Sequence, residues 1–118
     1  MTRQRVGWTL TVKVWLGHDG DKVLGPGRAE LLGLIARHRS ISAAAKDMGM
    51  SYRRAWGLVQ SINVAAGVPL VAAVKGGSGG GGAELTPAGR TALAWYHKLV
   101  GRLATAAARS PRPPFPDA

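Results

Sequence analysis

The chain has no cysteine, which excludes a disulfide framework and thiolate chemistry. It has few acidic residues: six Asp+Glu stand against 16 Lys+Arg, a formal net charge of +10. A domain this basic attracts polyanions, and nucleic acid is the usual one. No apolar run is long enough to span a bilayer. The opening MTRQRVGWTLTVKVWLG is basic and then partly apolar, but Lys13 interrupts the run, the alternation is β-like and no small-residue cleavage site follows, so it is not read as a signal peptide. His18, His38 and His97 are scattered, without a second ligand at metal-binding spacing, and Asp19 and Asp21 beside His18 read as a polar turn. Nothing resembles a catalytic triad, an acid–base pair or a cofactor fingerprint. The expectation is therefore a cytoplasmic protein with no membrane partner, metal or cofactor, and not an enzyme. Arg outnumbers Lys, and Ala and Gly are abundant, as in proteins from GC-rich bacterial genomes.

At 118 residues, 46% of them hydrophobic, the chain can build one modest core. The expected organisation is a domain over 1–109 followed by a Pro-rich disordered tail, SPRPPFPDA, over 110–118.

The segment ISAAAKDMGMSYRRAWGLVQ, residues 41–60, carries most of the information. Ala45 falls where a first helix must approach a second, and only a small side chain fits there. Gly49 follows at the turn, where a positive φ is needed and glycine adopts it without steric cost. Ala55 and Leu58 then fall at the spacing that turns the second helix back onto the first. Ser42 and Ser51 are in position to cap the two helices. The pattern predicts a helix-turn-helix, which presents its second helix to a DNA major groove. At 100° per residue, Leu58, Val59 and Ile62 cluster on one face of that helix, while Arg53, Gly57 and Gln60 lie opposite, flanked by Arg54 and Trp56. Arg can bond guanine bidentately, Gln can bond adenine, and Gly allows close approach. A core helix with a solvated polar face would share that amphipathicity; the turn spacing and the charge favour the groove.

Around this unit, residues 8–16 (WTLTVKVWL) alternate, with Trp8, Leu10, Val12, Val14 and Leu16 on one side, and predict a half-buried strand. Residues 17–21 read as a turn and 22–24 as a short return strand. Gly25-Pro26-Gly27 opens a helix to about His38, with Leu31, Leu32 and Ile35 inward. The second helix of the helix-turn-helix ends near Gly67, before Pro69. A strand over 70–74, the run KGGSGGGG over 75–82 and a return strand over 83–85 predict a β-wing. Its glycine-rich tip can aim backbone N–H groups at a phosphate, with Lys75 adding charge. A flexible tip without a ligand is the alternative. Thr86 caps and Pro87 begins a long final helix to about Arg109. Ala92, Tyr96, Leu99, Leu103 and Ala106 repeat along it as a core stripe or, preferentially, a dimer seam.

Together these segments resemble the DNA-binding domain of ModE-type molybdate-responsive regulators, which is related to the LysR-type winged helix. The matching stretches are SISAAAKDMGMSYRRAW (40–56), GVPLV (67–71), GGSGGGGAELTPAGR (76–90) and, more loosely, LGPGRAELLGLI (24–35). The resemblance implies a homodimeric winged-helix transcription factor with its recognition helix over 51–62 and its wing over 74–83. Arg53 stands where the family commonly has Lys. Ser78 replaces the usual wing Lys, and Ala72-Ala73 replace a Glu-Arg pair. Full-length members also carry C-terminal molybdate-binding domains, so what the resemblance carries over is DNA binding rather than oxyanion sensing.

The combined expectation is a mainly α, small-β (α+β) winged helix-turn-helix with an N-terminal strand and a long C-terminal dimerisation helix, acting as a sequence-specific regulator on double-stranded DNA. Candidate DNA contacts are Ser51, Tyr52, Arg53, Arg54, Trp56, Gln60, Lys75, Gly79, Gly80 and Gly81, with Arg53 and Gln60 toward base edges. Alternatives are a low-specificity architectural nucleoid protein, a molybdate or tungstate sensor at the dimer interface or wing, and a module that takes its sensor from a separate effector protein.

Overall fold

The computed structural model describes residues 7–75 and 82–116. Its helices begin where proline, glycine and short polar side chains sit. Strands β1 (Leu16–His18) and β2 (Asp21–Leu24) pair antiparallel, with Leu16 opposite Leu24 and His18 opposite Asp21. The turn between them has positive φ at Asp19 and Gly20, as a tight hairpin requires. Helix α1 (Pro26–His38) starts with Pro in its first turn and ends at Arg39, which is left-handed at φ 55°. Helix α2 (Ile41–Asp47) and helix α3 (Tyr52–Ala66) form the helix-turn-helix, and Gly67 at φ 77° closes α3. Strands β3 (Val71–Val74) and β4 (Gly82–Leu85) pair antiparallel as the wing, Val71 opposite Leu85 and Val74 opposite Gly82. Helix α4 (Pro87–Arg109) follows; its cap Thr86 accepts from the Gly89 N–H, as expected. The architecture is the anticipated α+β winged helix-turn-helix. Among the described residues, no helix is long and apolar enough to cross a membrane.

The core lies between α1, α2, α3 and the wing. Leu24, Leu31, Leu32, Ile35 and Ile62 are fully buried, with Ala44, Ala45 and Ala55 filling the close contacts among them. Val71, Ala83 and Leu85 add the inner face of the wing, and Leu93 and Tyr96 add α4. Gly89 is also buried, and a Cβ there would lie 2.0 Å from the Leu70 carbonyl oxygen. The missing side chain is what lets α4 start against the α3–β3 turn.

Three expectations are corrected. The strand expected over 8–16 is paired only from Leu16 onward. Residues 8–15 run without a ladder, and Trp8, Leu10 and Val12 are 52%, 65% and 44% exposed. The physical reason is that β2 is four residues long and offers no edge for the rest of the segment. Second, α2 is capped by Ser40, whose Oγ accepts from the Ala43 N–H at 3.0 Å, and not by Ser42, which lies exposed in the first turn. Third, the stripe along α4 divides. Tyr96 is buried in its own chain, its hydroxyl donating to the Val14 carbonyl at 2.7 Å, while Ala92 and Leu99 are half-buried and Leu103 and Ala106 are exposed. A helix at the edge of a small core buries only one strip of a wider apolar face.

Candidate nucleic-acid interface

Small residues set the distance between α2 and α3. Ala44, Ala45 and Ala55 are each at most 1% exposed, so a larger side chain at any of them would push the helices apart. The turn is closed by backbone bonds: the Met48 N–H reaches the Ala44 and Ala45 carbonyls, and the Met50 N–H reaches Ala45 at 3.0 Å. Gly49 has φ 66°, the conformation expected of it. Ser51 caps α3, its Oγ accepting from the Arg54 N–H at 3.1 Å. A cap of this kind contributes about 1 kcal/mol.

With that geometry, α3 buries Ala55, Val59, Ile62 and Ala65, and holds Leu58 half-buried. Arg53, Gly57 and Gln60 stand exposed on the opposite face, with Arg54 also exposed. Tyr52 and Trp56 are each about half exposed on one flank. No acidic residue occurs in α3. Two nearby carboxylates are engaged by other side chains: Asp47 lies 2.7 Å from the His38 imidazole Nε2, and Glu84 lies 3.0 Å from the Arg39 guanidinium Nη2. The outward face of α3 is therefore positive and polar. Lys75 is exposed at the end of β3, where the wing tip begins. Gly79, Gly80 and Gly81, together with Ser78, lie outside the described residues.

Four residues fix this surface in roles that the sequence did not assign to them. Asn63 Oδ1 accepts from the Leu70 and Val71 N–H groups at 2.8 and 3.2 Å, and its Nδ2 donates to the Val71 carbonyl at 3.0 Å. One side chain thereby locks the wing's first strand to α3. Arg39 holds the other wing strand: its carbonyl accepts from the Ala83 N–H at 3.1 Å while its guanidinium meets Glu84. His18 bonds the Ala65 carbonyl through Nδ1 at 2.8 Å, so the hairpin covers the end of α3. Arg28 donates to the Lys22 carbonyl at 2.6 Å and to Ser61 Oγ at 3.1 Å, joining α1, β2 and α3 beside Gln60. The one usable signal was Asn63, a lone polar residue on the flank of an otherwise apolar helix face. The others depend on backbone carbonyls that carry no sequence signature.

Among the described residues, no group of three or more His, Asp or Glu could hold a metal ion. What the surface offers is an exposed polar helix face with a basic lead residue, backed by a wing fastened to the same helix.

Comparison with known proteins agrees with this geometry. The profile of bacterial regulatory helix-turn-helix proteins of the lysR family matches residues 28–90, from α1 through the wing to the start of α4. The molybdenum-pterin-binding protein MopB of Rhodobacter capsulatus is 49% identical over 81 residues, covering 69% of this chain and 30% of that protein. The DNA-binding transcriptional dual regulator ModE of Escherichia coli K12 is 43% identical over 75 residues, covering 64% of this chain and 29% of that protein. The chain thus spans under a third of the length of these relatives. A crystal structure of a LysR family transcriptional regulator shares the fold, with a TM-score of 0.53 at 21% identity, covering 68% of this chain and 26% of that one. The resemblance read from the helix-turn-helix and the glycine wing is borne out, and the chain belongs to the lysR family of bacterial regulatory helix-turn-helix proteins, with a ModE-like sequence.

Proposed function

We propose that the chain acts as a homodimeric, sequence-specific DNA-binding transcriptional regulator. The observation that carries this reading is the exposed Arg53–Gly57–Gln60 face of α3, free of acidic residues, on a helix whose opposite face is buried. Arg53 and Gln60 read base edges, and Gly57 lets the helix backbone come close to the groove floor. Ser51, Tyr52, Arg54, Trp56 and Lys75 contact the DNA backbone on either side, and Gly79, Gly80 and Gly81 bring wing N–H groups to a phosphate. Leu99, Leu103, Ala92 and Ala106 of α4 form the dimer seam, while Tyr96 serves the core of its own chain. Two recognition helices related by a two-fold axis then meet half-sites about one DNA turn, roughly 34 Å, apart.

The test is site selection from a random duplex library at one stated salt concentration, followed by binding of single-base variants of the selected site. The expected preference over unrelated DNA is on the order of 10³ or more; a ratio near one assigns the chain to architectural, low-specificity binding. Arg53→Ala is expected to cost about 1–3 kcal/mol and to relax discrimination at one base pair. Equal weakening on every variant would move Arg53 to the phosphate backbone.

A further inference from the structure

We propose that the N-terminal arm, residues 8–14, pairs antiparallel with the same arm of a second copy of this chain, with Thr11 on the two-fold axis. The inference rests on the homodimer reading and adds a second, strand-mediated contact to it.

The arm has the sequence of a strand and lacks only a partner. Its alternation is strict over WTLTVKV, yet pairing to β2 begins at Leu16. The arm is nevertheless held in place. At one end the Val14 carbonyl accepts from the Tyr96 hydroxyl at 2.7 Å. At the other, Trp8 Nε1 donates to the Pro116 carbonyl at 2.9 Å, and its ring lies 5.6 Å from that of Phe115. Between these anchors the arm lies along α4 over an open cleft of about 300 Å³, lined by Leu10, Val12 and Val14 on one side and Val100, Ala104 and Ala108 on the other. A segment tethered at both ends, with no backbone ladder of its own between Trp8 and Lys13, no proline and exposed apolar side chains, is a template for strand addition.

A second copy fits that template because the arm is complementary to itself. Antiparallel pairing about Thr11 sets Leu10 opposite Val12, Trp8 opposite Val14 and Thr9 opposite Lys13. Every apolar residue then meets an apolar one on the same face, and the two threonines at the axis are a favourable cross-strand pair. Charge decides as well. Two chains of net charge +10 repel, so a contact between copies must keep cations apart. Lys13 is the only charged residue in the arm, and this register places it against threonine. The adjoining strip of α4 carries the half-buried Leu99 and the exposed Leu103, so the paired arms continue into the helix seam.

The absence of cysteine makes the test direct, in the full chain. Residues directly opposite in an antiparallel pair have Cα atoms about 4.5–5.5 Å apart, inside the range a disulfide spans. Thr11→Cys is therefore expected to form a reducible cross-linked dimer rapidly under mild oxidation, at concentrations where sedimentation shows the dimer. Lys13→Cys is expected not to, because two copies of residue 13 lie roughly four residues, about 13 Å, out of register. Mixing Lys13→Cys with Thr9→Cys chains should restore a cross-link between unlike chains. If both single variants link at the same slow rate, or Thr11→Cys stays unlinked in a chain that sediments as a dimer, the arm pairing is wrong and the α4 seam alone remains. A chain that sediments as a monomer overturns both arm pairing and dimer. Selective DNA binding is read separately and survives either result.

Discussion

Replacing Asn63 by Ala should loosen the wing from the recognition helix, and its size can be worked out bond by bond. The side chain makes three hydrogen bonds across the α3–β3 turn, to the Leu70 N–H, the Val71 N–H and the Val71 carbonyl. Each contributes about 1 kcal/mol net, and a donor left unsatisfied in a buried turn adds a desolvation cost of similar size. Leu70 and Val71 are 3% and 4% exposed, so solvent does not readily replace the lost acceptor. The three bonds sum to roughly 3 kcal/mol and the two orphaned N–H groups raise the expected loss to roughly 4–5 kcal/mol, a large share of the stability of a domain of this size. The assay is equilibrium urea unfolding followed by circular dichroism, where the midpoint should fall with the slope unchanged. Val64→Ala is the control: it lies one residue along the same helix, is 79% exposed, and exchanges a β-branched residue for a better helix former. It should leave stability unchanged or slightly raised. A loss below about 0.5 kcal/mol for Asn63→Ala would refute the reasoning, because it would mean the turn holds its geometry without the amide.

Two further outcomes follow from the same structure. Gly49→Ala should cost about 1–2 kcal/mol in thermal or urea unfolding, because φ is 66° there although no atom lies within 4 Å of the added Cβ; the cost is conformational and not steric crowding. Burial raises the Tyr96 pKa above the ordinary phenol value of 10.0. The unfolded chain then loses this proton before the folded one does, so stability should fall as pH rises past about 10 and level off above the folded-state pKa. Stability–pH curves for the wild type and Tyr96→Phe should diverge only in that alkaline range; parallel curves would remove Tyr96 as the cause.

The helix-turn-helix was legible because its constraints are local. A small residue at the crossing, a glycine at φ 66° and a serine bonding three residues ahead each act within one or two turns of chain, and Ala45, Gly49 and Ser51 all perform as their positions implied. Thr86 and Pro87 announced α4 for the same reason. The nearby misreading of Ser42 for Ser40 shows the limit: several serines can serve a helix start, and the choice depends on which backbone enters the helix first. The arm shows the limit of periodicity. Alternation over 8–16 reports that two faces differ, but a strand also needs a neighbour, and within that segment only Leu16 has one.

Sequence alone therefore determined the element order, the turn chemistry and the face that α3 turns outward, because helical period and capping act through bonded neighbours. Tertiary structure decided how the pieces are fastened. Asn63 reaching β3, Arg39 reaching β4, His18 covering the end of α3, and Tyr96 holding the arm are contacts between residues far apart in the chain or made to backbone carbonyls. Every residue offers the same carbonyl, so no side-chain pattern reveals which one will be met; only the packed arrangement of the helices selects it.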